Sequence, residues 1–174
     1  MDIEDFISSK LRDVVDYPKK GVLFKDITPL LADPQAFPLV IDYLANKVSD
    51  RKIDKIVGIE ARGFIIGAAL AYTLKCAFVP IRKAGRLPYE KISADYNLEY
   101  GHQRIEMHKD SISSGDNVLI VDDLLATGGT SIAALKLVEE LGGNVIGFAF
   151  VVELKGLKGR EKLLPHDVIS IVKC

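Results

Sequence analysis

Two adjacent carboxylates, Asp122 and Asp123, close the apolar run 118–121, and a turn of small and hydroxyl-bearing residues follows them: Ala126, Thr127, Gly128, Gly129 and Thr130. Small residues let a backbone approach a ligand closely and aim several N–H groups at one phosphate. A helix opening near Ser131 adds the positive end of its dipole, worth about 0.3–1 kcal/mol at exposed sites. Carboxylates beside such a cradle repel phosphate, so they must face another part of the ligand. Asp122 and Asp123 suit ribose hydroxyls as hydrogen-bond acceptors and, through water, a Mg²⁺ ion that accompanies a diphosphate. The combination describes a phosphorylated sugar bearing a diphosphate. Neither GxxxxGK[ST] nor a GxGxxG after a strand occurs, which removes the two commonest rival phosphate motifs.

Cations for such a ligand stand elsewhere in the chain. Arg62, in the turn Glu60-Ala61-Arg62-Gly63, carries a planar fork of donors, although an arginine near a helix start is by itself more often a surface residue. Arg82, Lys83 and Arg86 cluster on a stretch containing Gly85 and Pro88, which reads as a lid that closes over a departing diphosphate and excludes water; a solvated basic loop is the plain alternative. These charges are local, because the formal net charge is −1. That balance gives no general attraction to nucleic acid or to a membrane surface. No stretch approaches the roughly 20 apolar residues of a membrane span, and the acidic start MDIEDFISSK does not read as a signal peptide, so a cytoplasmic protein is expected. Cys76 and Cys174 read as free thiols, and His102, His108 and His166 show no metal-ligand spacing.

The elements that must position these residues follow from periodicity. With 48% hydrophobic and 27% charged residues, 174 residues read as one domain with a real core. Asp2 caps a first helix whose stripe is Ile3, Phe6, Ile7, Leu11 and Val14, ended by Tyr17-Pro18 and Gly21. The segment GVLFKDITPLL is apolar but irregular. Asp33-Pro34 opens a second helix with Phe37, Val40, Ile41, Leu44 and Val48 inward. Strands are expected at 53–60, 77–81, 118–121, 145–152 and 168–172, with helices at 63–74 and 131–141 between them. Residues 82–108 read as a long loop leading into a hairpin. This alternation implies a mostly parallel α/β sheet flanked by helices, with ligands at the carboxyl ends of the strands.

The run VLIVDDLLATGGT resembles the signature of the type I phosphoribosyltransferases, and its LLATGGT version is similar to that of the members acting on adenine. YPKKGVLFKDITPLL, GIEARGF, VPIRKAGRLP and YNLEYG resemble segments of the same enzymes in the same order, so the likeness spans nearly the whole chain. The resemblance implies the type I fold, with a base-binding hood within residues 1–33 of a single domain (1–174) and a flexible loop and hairpin. It implies transfer of a phosphoribosyl group from 5-phospho-α-D-ribose 1-diphosphate to adenine, with Mg²⁺, in a homodimer. It places the 5-phosphate on Ala126 to Thr130, the ribose hydroxyls on Asp122 and Asp123, and the pyrophosphate on Arg62, Arg82, Lys83 and Arg86. Leu23, Phe24 and Lys25 fall at the base-reading positions, with Leu124 on the opposite face. Glu99 falls at the position that meets the N7 side of the base, with Tyr100 beside it as a lid residue. Lys25 and Arg86 depart from the more usual arginine and lysine, which changes the geometry of each charge while keeping its sign. Two alternatives stay open: the same fold acting on another base, and a regulator that binds the donor without turnover.

Overall fold

The structure is a computed structural model that describes residues 2–98 and 101–174. The chain runs α1 (Ile3–Ser9), β1 (Arg12–Val15), β2 (Leu23–Asp26), α2 (Thr28–Leu31), α3 (Ala36–Lys47), β3 (Lys55–Ile59), α4 (Arg62–Leu74), β4 (Ala77–Lys83), β5 (Lys91–Leu98), β6 (Gly101–His108), β7 (Asn117–Leu125), α5 (Gly129–Glu140), β8 (Asn144–Glu153), a 3₁₀ turn (Lys155–Leu157), α6 (Gly159–Lys162) and β9 (Val168–Lys173). Seven strands form one sheet in the order β5-β6-β4-β3-β7-β8-β9. The five strands from β4 to β9 in that order are parallel, and the β5–β6 hairpin adds an antiparallel edge.

Side-chain alternation along β7 shows how the sheet buries both faces. Leu119 and Val121 join the layer that includes α1, α3 and α4, while Val118 and Ile120 join the layer that includes α5 and the hairpin. Strands covered on both sides must be apolar throughout, which explains why VLIV carries no polar residue. The order also puts β3 beside β7, so the turn leaving β3 for α4 and the turn leaving β7 for α5 open at the same sheet end, with their helices on opposite faces. That is the crevice where open α/β sheets bind ligands.

Two expectations need correction. The first helix ends at Ser9, and Arg12–Val15 is a strand paired antiparallel with Leu23–Asp26. Leu11 and Val14 fit the helical stripe by spacing alone. The β-branched pair Val14-Val15 favours the strand, and Asp16 completes the hairpin by accepting the Gly21 N–H through Oδ1 at 2.6 Å. Arg82 and Lys83 belong to β4 and not to the loop, because β6 pairs with them and extends the strand. The Asp33 cap is as expected: its Oδ1 accepts the N–H groups of Gln35 and Ala36, each at 2.9 Å.

Candidate active site

The turn after β7 is built for close approach. Gly128 sits at φ +79°, a left-handed conformation that side-chain-bearing residues rarely adopt, and α5 begins at Gly129, two residues before the expected Ser131. The turn, Asp122, Asp123, Leu124 and Arg62 line a cavity of about 200 Å³. Helix α4 presses against the same strand end, where a Cβ on Gly63 would stand 2.9 Å from both Asp122 Oδ1 and the Val121 carbonyl. Glycine at 63 therefore sets how near Arg62 comes to the carboxylates.

The two carboxylates differ in surroundings. Asp122 is enclosed, and its Oδ1 accepts the Asp123 N–H at 2.9 Å. Burial, then the neighbouring Asp123 charge, raise its carboxyl well above the usual range. Burial also raises Asp123, against the opposing pull of the Arg62 guanidinium. Arg62 Nε lies 2.8 Å from Asp123 Oδ2, close enough for an ion pair but without hydrogen-bond alignment, so this buried oxygen lacks a donor among the described residues. A buried acceptor without a donor is a place for a hydroxyl, a water or a cation.

Arg62 also joins this cavity to a second one. Its guanidinium stacks over the Phe24 ring at 4.9 Å, and Val14, Tyr17, Phe24, Asp26 and Arg62 line a pocket of about 330 Å³. Tyr17 meets Phe24 edge to face at 5.1 Å. Of the residues at the expected base-reading positions, Phe24 lines this pocket and Leu124 lines the cavity at the β7 turn. The Leu23 side chain is exposed and Lys25 Nζ is tied to Asp13 at 2.7 Å, and neither residue lines this pocket. Sequence reading missed Val14 and Tyr17 because both were spent on a helix and its stop signal. The β-branched pair Val14-Val15 ahead of Pro18 and Gly21 was the signal for the hairpin.

The basic cluster is held by carboxylates. Glu60 accepts the Lys83 N–H at 2.9 Å, pairs with Arg82 Nε at 3.4 Å and makes a short contact with Arg86 Nη1. Burial raises the Glu60 carboxyl, but these partners outweigh it and hold it below its ordinary value. Glu106 accepts the Gly85 N–H at 3.0 Å, and buried Leu87 pins the middle of the loop. Glu60 was not expected as a partner; its place at the carboxyl end of β3 beside a basic strand end was the available signal. The hairpin also reaches the site, because Tyr96, whose hydroxyl donates to Gln103 Oε1 at 2.8 Å, lines a cavity together with Gly129 at the start of α5. Glu99 and Tyr100 lie outside the described residues.

A family model described as the phosphoribosyl transferase domain matches residues 26–173. The chain belongs to this family. Among phosphoribosyl transferases, an adenine phosphoribosyltransferase of Brachyspira hyodysenteriae is 51% identical, over 99% of each chain. The crystal structure of adenine phosphoribosyltransferase from Thermoanaerobacter pseudethanolicus superposes with a TM-score of 0.95 at 52% identity, covering 98% of this chain and 99% of the other. That of the Saccharomyces cerevisiae enzyme, complexed with adenine and an imino-altritol bisphosphate, gives 0.91 at 42% identity over 98% of each. The sheet order, the flanking helices and the small hood sheet of this chain are thus those of the phosphoribosyl transferase fold.

Proposed function

We infer that this chain is an adenine phosphoribosyltransferase: it transfers the 5-phosphoribosyl group of 5-phospho-α-D-ribose 1-diphosphate to N9 of adenine, forming AMP and releasing pyrophosphate. The observation that carries this reading is one guanidinium, Arg62, standing between the aromatic pocket at Phe24 and the carboxylate cavity at Asp123. A base in the first and a ribose in the second would meet there, and full-length likeness to adenine enzymes supports adenine as the base.

The division of labour follows the geometry. Backbone N–H groups from Ala126 to Thr130 and the start of α5 hold the 5-phosphate. Asp122 and Asp123 accept the ribose hydroxyls, and the donor-free Asp123 oxygen points to one of them. Phe24, with Val14 and Tyr17, gives the adenine ring an apolar face, while backbone groups at Leu23 and Lys25 read its edge and Leu124 closes the other side. Arg62, Arg82, Lys83 and Arg86 receive the pyrophosphate, exchanging their Glu60 and Asp123 contacts for phosphate oxygens. Glu99 meets the N7 side of the base, and Tyr100 covers the closed site.

In the reaction, the C1–O bond to pyrophosphate breaks and the C1–N9 bond forms, with positive charge growing on the ribose. Adenine N9 gives up its proton in the process. Alignment and electrostatic stabilisation of the leaving group supply the acceleration. Two adjacent carboxylates with an unpartnered oxygen fit Mg²⁺ brought in with the donor, held through water by Asp122 and Asp123. When bound, it would neutralise the diphosphate. Residual turnover after chelation with EDTA, matching that with Mg²⁺ restored, would overturn this requirement.

A homodimer acting in the cytoplasm is the setting we propose. Light scattering is expected to give twice the chain mass of 19.1 kDa, and a monomeric mass would reject the dimer. The site itself is tested by Asp123→Asn, which keeps the shape but weakens the charge facing Arg62 and the sugar. AMP formation is expected to fall at least about tenfold at saturating donor. Unchanged turnover would remove Asp123 from the site.

A further inference from the structure

The turn that reads as the phosphate cradle has a back as well as a front. Behind it runs the segment from the end of β8 to α6, which carries Gly156 and Gly159. A Cβ built on Gly159 would fall far inside 3.0 Å of the Ala126 carbonyl oxygen and would lie 3.0 Å from the Gly128 nitrogen. In the reverse direction, a Cβ on Gly128 would stand 2.9 Å from the Gly159 carbonyl oxygen. The two backbones therefore touch through paired glycines. Gly159 is not in the positive-φ region, so it is glycine for space and not for backbone freedom.

Which side would yield to an added atom is decided by what holds each. Arg160 grips Glu153 with two bonds, Nε to Oε1 at 2.8 Å and Nη2 to Oε2 at 2.5 Å, and also donates to the Val168 carbonyl at 2.7 Å and Ser170 Oγ at 3.0 Å. Leu163, at the end of α6, is fully buried. The Leu154 N–H further ties this segment to the Leu125 carbonyl at 2.9 Å. The turn at 126–130, in contrast, fronts a cavity. A fixed brace and an open front mean that the turn moves, toward the ligand.

We propose that Gly159 is a positioning residue for phosphoribosyl transfer: clamped by Arg160 on Glu153, it sets the depth of the 126–130 turn and hence the affinity for the sugar 5-phosphate. This rests on the reading that the turn takes that phosphate. The residue lies outside the signature and does not line the cavity that the turn fronts.

The test compares Gly159→Ala with Gly156→Ala. The second adds the same methyl to the same segment, where nothing lies within 4 Å. Ribose 5-phosphate binding is measured by calorimetry, alongside the KM of each substrate, kcat and thermal unfolding. G159A is expected to weaken ribose 5-phosphate and raise the donor KM by about tenfold or more, as misplacement of a positioning contact does. The KM for adenine at saturating donor should change little, and G156A should match the wild type. Wild-type ribose 5-phosphate affinity in G159A would overturn the proposal, even with a lowered Tm. Thr127→Ala separates the two readings: if it weakens ribose 5-phosphate while G159A does not, the cradle stands and the brace falls. If neither variant does so, both fall. Should G159A not accumulate as folded protein, Arg160→Lys replaces it, since an ammonium cannot reproduce the two-pronged grip. A raised donor KM with unchanged adenine KM supports the brace, and a loss confined to Tm refutes it.

Discussion

At the end of β7, function and stability pull against each other on single side chains. Asp122 and Asp123 are desolvated neighbours whose carboxyls are both raised. A raised carboxyl stays protonated in the folded chain at pH values where the unfolded chain has already ionised, so the pair costs stability as pH rises above the ordinary carboxylate range. Asp122→Asn can still accept the Asp123 N–H through its amide oxygen while removing one charge. It is expected to unfold at a higher temperature than the wild type at pH 8, with the difference shrinking toward pH 3, while phosphoribosyl transfer drops. A lower Tm at pH 8 would show that the pair is not strained. Arg62 answers part of this strain and connects it to the aromatic pocket at Phe24, which is why one side chain carries so much of the functional reading.

At the scale of elements, two turns must meet at one sheet end. The meeting depends on Gly63, where a Cβ would press on Asp122 and on the Val121 carbonyl. Gly63→Ala is expected to cost about 1–3 kcal/mol by overpacking and to lower turnover by more than tenfold by displacing Arg62, roughly the penalty of a 1 Å misplacement. Denaturant unfolding and steady-state kinetics together check it; full activity would mean that α4 can slide freely. Much of this arrangement was legible in the sequence, because VLIV and VIGFAFVV read as short, β-branched-rich strands buried on both faces, and the DD pair and the glycine turn mark where β7 ends. The hood was less legible. Leu11 and Val14 match a helical period that tertiary pairing overrides, and a four-residue strand such as Arg12–Val15, with no apolar–polar alternation, offers no pattern to compete. Nor does sequence reveal contacts between distant segments: the Glu60 clasp on Arg82 and Arg86, the cavity shared by Tyr96 and Gly129 and the Gly159 brace each join residues that only the fold brings together.

Across the whole molecule, a near-neutral chain holds many of its carboxylates against cations or backbone N–H groups. Glu60, Glu153, Asp26, Asp54 and Asp116 are all lowered, and Asp33 is lowered to about 2 by the Lys10 ammonium and the cap N–H groups. Lowered carboxyls contribute stability above their unfolded values and lose it as pH falls through their folded ones. Stability is therefore expected to be flat near neutrality and to decline below about pH 4. Urea midpoints across pH 3–8 check this, and a midpoint that rises steadily toward pH 3 would mean that the raised Asp122–Asp123 pair dominates. The central claim concerns chemistry, and the most direct measurement is pyrophosphate release from 5-phospho-α-D-ribose 1-diphosphate and Mg²⁺ with adenine, hypoxanthine, guanine, xanthine and orotate supplied separately. Release with adenine alone is the expected result. Release with a different base would contradict the adenine reading while keeping the transfer, and silence across the panel despite measurable donor binding would contradict the enzyme itself.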